Sequence, residues 1–279
     1  MKKLLPTLPE LRAQIDAIDD QLHSLLRHRA DIVHTVRAVK GKQPIFIRPG
    51  REATMLRVLL KRPAGRIPPG LIMRLWREMI GAFTMQEGRL SVAVTAGNGQ
   101  QDLWDITRDY YGFSTPLVPC ATAAQALTKL KTKATEVASL PLPEAKSAKP
   151  WWAALAKAPD LQVFAQFPFD LADATRSNGR GNQKGAWAVA RLAPEPTSND
   201  HGLLLVWGVT KRQSGAVREA LQDLRPVALH HDSVRSCWLV TLDGLLDPAQ
   251  KRYTNLQKTM VKLGAKCRIA GGYAVPLGF

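Results

Sequence analysis

The sequence predicts a multidomain α + α/β chain: an all-helical region over residues 1–90, a small α/β domain over 91–196 and a ferredoxin-like βαββαβ domain over 197–279. Three observations carry this. Apolar residues recur at alternating spacings of three and four from Leu8 to Val39, the texture changes to strand-like at Leu90, and the last 80 or so residues give one definite element order.

The first helix is the clearest element. Leu8, Leu11, Ile15, Ile18, Leu22, Leu25, Arg29, Ile32, Val36 and Val39 form one seam, apolar at every slot except Arg29. No Gly or Pro lies between Glu10 and Lys40, and the Gly41-Lys42-Gln43-Pro44 run ends the element. A helix of this length reaches nearly 50 Å, at about 1.5 Å per residue. It outruns a small domain and needs a partner along its length, expected from another chain. A second helix fits 51–62, closed by Pro63-Ala64-Gly65. A third fits 71–90 with an inner stripe of Ile72, Trp76, Met79, Phe83 and Glu87.

Beyond Leu90 the elements alternate. Strands are expected at 91–94, 117–119, 137–140, 161–167 and 186–192, with helices at 101–110, 122–131 and from Trp151. Gly97-Asn98-Gly99 reads as a turn, 141–149 as a linker and 177–185 as a Gly/Asn loop. The end of the chain reads strand 203–209, helix 214–224, strands 227–231 and 237–242, helix 248–263 and strand 267–274.

Composition narrows the function. The chain of 279 residues has 39 Lys+Arg against 23 Asp+Glu, a net charge of +16, and its pI is near 10.1. Such a field attracts anions. There is no long Lys/Arg block, and aromatics make up only 6% of residues. Both disfavour a stacking platform for single-stranded nucleic acid. A basic composition without a functional meaning, or a small anionic substrate, accounts for the charge equally well. No run approaches the ~18–20 apolar residues of a membrane helix. Pro6, Pro9, Glu10 and Arg12 break up any export signal, and the three cysteines (Cys120, Cys237, Cys267) are too few and too scattered for a disulfide framework. The expectation is a cytoplasmic protein.

The candidate site lies in the helical region. Arg29 occupies a seam slot that otherwise holds Leu, Ile or Val, and a buried guanidinium is costly unless an anion faces it. A structural ion pair with Asp31 or with Glu52 of a neighbour is the alternative. Lys40 lies three turns on, on the same face. Arg12 is about 25 Å before Arg29 along the axis, so only an antiparallel partner helix brings it to the same site, which implies a dimer with shared sites. Arg51 and Glu52 open the second helix, where Arg51 is placed to face an anion and Glu52 to accept from a hydroxyl or simply to favour the helix N-terminus. Glu87 is a carboxylate on an apolar stripe, either paired with a cation or kept neutral. His23, His28 and His34 do not share a face, so no metal site is expected. No nucleophile–base pair is visible.

These residues carry a resemblance. The ordered runs Leu11-Arg12-Ala13-Gln14-Ile15-Asp16, Leu25-Leu26-Arg27-His28-Arg29, Val36-Arg37-Ala38-Val39-Lys40, Pro49-Gly50-Arg51-Glu52 and Leu75-Trp76-Arg77-Glu78-Met79 resemble the all-helical chorismate mutase family over residues 8–90. The resemblance implies an intertwined homodimer that converts chorismate to prephenate, in aromatic amino acid biosynthesis, with no cofactor and no metal. It assigns the two carboxylates of chorismate to Arg12 (from the partner), Arg29 and Arg51. It assigns the ether oxygen to Lys40 and Glu87, and the ring hydroxyl to Glu52. Phe83 departs from the pattern: it stands where a small residue, often Ser, contacts a carboxylate. Arg48 stands where some members carry Asp.

The remainder resembles a worn prephenate dehydratase. Val92-Ala93-Val94, Gly97 and Tyr111-Gly112 are similar to its opening, and Val118-Pro119-Cys120 and Leu140-Pro141-Leu142 to its next segment. Pro143 falls near where that family keeps Glu, and no Thr-Arg-Phe motif occurs, so the segment is expected to be a non-catalytic appendage. The terminal βαββαβ resembles the ACT regulatory module through Ser214-Gly215-Ala216-Val217 and Ala270-Gly271-Gly272-Tyr273, which raises the expectation of an amino-acid effector there. The rivals are a bifunctional mutase–dehydratase and a catalytically silent regulator or nucleic-acid binder.

Overall fold

The computed structural model describes residues 5–41, 45–68, 70–97, 101–144, 150–169 and 185–278. The turn residues Asn98 and Gly99, the 145–149 part of the linker and most of the 177–185 loop lie outside them. Three helices come first: α1 (Leu8–Lys40), α2 (Pro49–Leu60) and α3 (Leu71–Glu87). Thr7 and Glu10 form a reciprocal capping box at the start of α1, and Gly41, at φ +68°, ends it. Among the described residues no helix is long and apolar enough to cross a membrane.

The rest is one mixed sheet with helices on both faces. Its strands are β1 (Val92–Thr95), β2 (Leu117–Cys120), β3 (Val137–Pro141), β4 (Gln162–Phe167), β5 (Ala186–Ala190), β6 (Asp200–Trp207), β7 (Ala228–Asp232), β8 (Cys237–Asp243) and β9 (Lys266–Ala274). They run in the order β2-β1-β3-β5-β4-β9-β6-β8-β7. The helices are α4 (Gln101–Tyr111), α5 (Ala123–Lys131), α6 (Ser214–Gln222) and α7 (Lys251–Lys262). Trp151–Lys157 forms a 3₁₀ turn rather than the expected α-helix.

Strand alternation assigns the faces. Val92 and Val94 point to α4 with Leu103 and Ile106, while Ala93 and Ala138 point to α5 with Leu127 and Leu130. On the other half, Leu204, Val206 and Val240 face α6 and α7, whereas Leu203, Leu205 and Leu239 face the 3₁₀ turn with Trp152 and Leu155. The core under α5 thus continues under the 3₁₀ turn.

The sequence divides the strands at residue 196, but the structure joins them in a single sheet. The joint is a parallel contact between β4 and β9 at Val163 and Gly271. Gly271 has φ +115°, and a Cβ there would lie 2.0 Å from the Val163 carbonyl oxygen. Only glycine permits this approach. No hydrophobic periodicity encodes such a junction, so it is invisible to pattern reading.

The helical region sits on the sheet through α2 and α3. The fully buried face of α3 is Met73, Arg77, Gly81, Thr84 and Glu87, one position round from the stripe read off the sequence. Ile72, Trp76, Met79 and Phe83 are only half-buried. The reason is α4: a Cβ on Gly81 would meet the Tyr111 carbonyl oxygen at 2.0 Å, so a small residue brings the two helices together. A face containing Arg, Gly and Thr does not look like a core face.

Candidate functional site

Arg29 stands where α1 passes over α3. Its guanidinium carbon is 4.7 Å from the centroid of the Phe83 ring. Its Nη1 is buried and has no hydrogen-bond partner among the described residues. Burial lowers its pKa first, and the like charge of Arg51 adds to the effect, which places the two cations within electrostatic reach of each other. Arg37 Nη1 donates to the Gln86 carbonyl at 2.7 Å and pins α1 to the end of α3. Glu87 is the next residue, buried, one turn beyond Phe83.

Arg51 is exposed in the first turn of α2. It shares an open pocket of ≈ 640 Å³ with Arg48, Thr54, Trp76 and Glu195. Lys40 is the last residue of α1, and its side chain lies outside the described residues. Arg12 is exposed, far along α1 from Arg29. The structure therefore sets Arg29 on Phe83, with Arg51 within electrostatic range of Arg29 and Glu87 one turn beyond Phe83 on α3, while a single chain leaves Arg12 remote.

Glu52 goes elsewhere. It is 9% exposed and accepts from Arg77 Nη1 at 2.9 Å, with Arg77 itself 3% exposed. The Arg77 guanidinium lies over the Tyr110 ring at 3.8 Å from its centroid. Burial raises the Tyr110 phenol to about 12 and also pushes Tyr111 up. Glu52 also accepts from the Arg48 backbone N–H at 3.3 Å. Glu52, from which a hydroxyl-accepting role is expected, is held in a buried ion pair at the α2–α3–α4 junction. The sequence carried no sign of this, because Arg77 looks like one more surface arginine in a basic chain.

Glu195 was also missed. It lies between β5 and β6 and reaches Arg48 Nε and the Arg51 backbone N–H. Nothing local in the sequence links it to α2, more than a hundred residues away.

Residues 11–88 match the family model for chorismate mutase type II. That is a little over a quarter of the chain, and it covers α1 from Leu11 onward, α2 and α3, with Arg12, Arg29, Lys40, Arg51, Glu52 and Glu87. The chain is 28% identical over 141 residues to the bifunctional chorismate mutase/prephenate dehydratase of Aquifex aeolicus, covering 48% of this chain and 38% of that protein. To the protein of the same name from Pseudomonas aeruginosa it is 33% identical over 98 residues, 33% of this chain and 27% of that one. The chain thus matches well under half the length of these curated relatives. Among solved structures it is similar to prephenate dehydratase from Streptococcus mutans, with TM-score 0.44 and 13% identity over 68% of this chain and 100% of that one. It is similar also to the enzyme from Arthrobacter aurescens in complex with L-Phe, with TM-score 0.46 and 13% identity over 67% and 92%. Likeness at that level does not fix a fold.

Proposed function

We propose that α1 to α3 form a chorismate mutase site, shared between two copies of the chain, and that the sheet region is a non-catalytic appendage. The observation that carries this is Arg29: a half-buried cation whose Nη1 is buried with no partner among the described residues, within range of a second cation, on a seam otherwise apolar. Such an arrangement is costly until an anion completes it.

The rearrangement of chorismate breaks one C–O bond and forms one C–C bond within a single molecule. It needs no acceptor of electrons and no nucleophile. What a protein supplies is a compact conformer of the dianion and stabilisation of charge growing on the ether oxygen. Arg29 and Arg51 suit the carboxylates, and Lys40 with Glu87 suits the ether oxygen. Glu52, which pairs with Arg77, is left outside this proposal.

The homodimer is supported by α1. Its 33 residues carry a seam on which Leu8, Ile15, Ile18, Leu22, Leu25, Ile32 and Val39 are all more than half exposed. An apolar stripe of that length is stable in water only when covered. An antiparallel second copy covers it and delivers Arg12 of the partner subunit to Arg29.

A second reading, a mutase joined to a working dehydratase, is favoured by the names of the relatives. The absence of a Thr-Arg-Phe motif from the sequence counts against it. Incubation of the full chain with chorismate, following chorismate, prephenate and phenylpyruvate by chromatography, separates the two. Prephenate accumulation without phenylpyruvate is expected. Steady phenylpyruvate formation favours the second reading, and untouched chorismate overturns both. An amino-acid effector at the βαββαβ end is tested in the same assay by adding phenylalanine or tyrosine.

A further inference from the structure

Building on the mutase function above, we propose that Glu195 is a positioning residue for the anion site: its carboxylate holds the first turn of α2 and, through that turn, the Arg51 guanidinium.

At the start of α2, Glu52 accepts from the Arg48 backbone N–H at 3.3 Å, and the Arg51 N–H is left to a partner from outside the helix. Its N-cap is Arg48, which makes no side-chain capping bond. The first N–H groups of a helix have no partner within it and favour a nearby anion. Glu195 supplies one from outside: one carboxylate oxygen accepts from Arg48 Nε, and the other accepts from the Arg51 backbone N–H at 3.3 Å. The approach depends on Gly50. A Cβ there would lie 2.6 Å from the Glu195 Cβ and 2.8 Å from its carbonyl oxygen.

The same connection grips α2 further along. Arg57 Nη1 donates to Thr197 Oγ1 at 2.7 Å, and its Nη2 donates to the carbonyls of Asn199 and Val275 at 2.7 and 2.9 Å. These contacts fix the body of the helix, and Glu195 fixes the turn from which Arg51 departs. Arg51 has reason to need fixing, because it sits within range of the like-charged Arg29. Without an anchor, mutual repulsion drives the two guanidinium groups apart and the site loses its shape for a dianion. The α/β region thereby contributes to the helical site a residue that never touches substrate.

The test uses the full chain with Glu195→Ala, Glu195→Gln and Gly50→Ala. It combines steady-state kinetics on chorismate with backbone amide exchange over residues 48–55. Losing one or two charge-assisted contacts at a helix start corresponds to about a three- to tenfold rise in KM, with kcat changing less. Glu195→Gln keeps an oxygen for the Arg51 N–H and restores most of the loss. In an Arg51→Ala background, Glu195→Ala adds no further rise. Exchange in the first turn of α2 speeds up in Glu195→Ala and in Gly50→Ala, and slows again in Glu195→Gln. A KM rise of equal size with and without Arg51 overturns the proposal, because Glu195 then acts through something else. If the wild type does not consume chorismate, the mutase function falls, and amide exchange alone decides the hold on α2: faster exchange in Glu195→Ala upholds it and unchanged exchange overturns it.

Discussion

The Arg29 guanidinium rests on the face of Phe83, 4.7 Å from the ring centroid, with one nitrogen buried and without a partner among the described residues. A cation–π contact offsets part of the cost of burying a charge, on the order of 0.5–2 kcal/mol, and does not satisfy an N–H. The remaining N–H calls for an oxygen acceptor, and in the proposed site a carboxylate of chorismate is that acceptor.

Arg29→Ala is expected to remove about 2–5 kcal/mol of transition-state stabilisation, the scale for breaking a buried charged contact. The mutant should remain folded, since Arg29 makes no ion pair among the described residues. Turnover close to wild type in a folded mutant excludes Arg29 from the site. Phe83→Ser exchanges the ring for a hydroxyl that can donate to a carboxylate, and a lower KM is expected.

The Glu52–Arg77 pair predicts a different phenotype. Both side chains are buried, so Glu52→Ala leaves a cation stranded against Tyr110 and Phe169. A loss of about 3–5 kcal/mol of stability is expected, while an apolar replacement of both partners costs much less. Thermal unfolding of Glu52→Ala, Arg77→Met and the double mutant measures this. Additive losses show that the two side chains do not act as a pair.

Leu25 sits mid-seam on α1 and is 65% exposed. Leu25→Asp puts a charge where a second copy is proposed to pack, and should convert a dimer into monomers of 30.7 kDa. Light scattering after gel filtration reports the mass and circular dichroism the helix content. A dimer that survives Leu25→Asp unchanged means that the seam is covered by something else.

Legibility of the sequence followed the range of the interactions. The seam of α1, the change at Leu90 and the order of strands and helices are local, repetitive signals, and elements appear where those signals fall. Arg29 was legible for the same reason, as one cation in a long apolar row. What failed to show was long-range and polar. Arg77 pairs with a residue 25 positions away, and Glu195 with one 147 away. Gly271 joins two halves of a sheet by lacking a side chain. None of these alters hydrophobic periodicity, so each became visible only when the chain was folded.

The histidines give the pH dependence of stability. Burial lowers the pKa of His230, whose Nδ1 is buried without a partner among the described residues. His201 and His231 are lowered by burial too, with opposition from Asp243 and Asp200 for the first and chiefly from Asp232 for the second. A base with a depressed folded pKa binds fewer protons folded than unfolded. Stability is therefore full above the unfolded value near 6.5 and falls as pH drops below it towards the folded values. The urea midpoint should be lower at pH 5.5 than at pH 7.5 on this account, and His230→Gln should narrow the gap. A midpoint that rises on acidification contradicts the depressed values.

A chain cut after Leu90 tests how much of the site is helical and how much is borrowed. It keeps α1 to α3, with Arg12, Arg29, Lys40, Arg51 and Glu87. It loses the acceptors of Arg57 at Thr197, Asn199 and Val275, the carboxylate of Glu195, and the Tyr110 ring over Arg77. The Glu52–Arg77 pair becomes a surface pair, worth about 0–1 kcal/mol. The α1 seam is untouched, so the fragment should still dimerise. Its α2 is short, and short helices are marginal without tertiary support. The expected result is a dimeric fragment that consumes chorismate with a raised KM and a lower unfolding temperature than the full chain. Sedimentation, kinetics and thermal melting of both forms give the comparison. A fragment equal to the full chain in KM shows that the sheet region contributes nothing to the site. A dimeric fragment with no activity shows that the site depends on groups beyond Leu90.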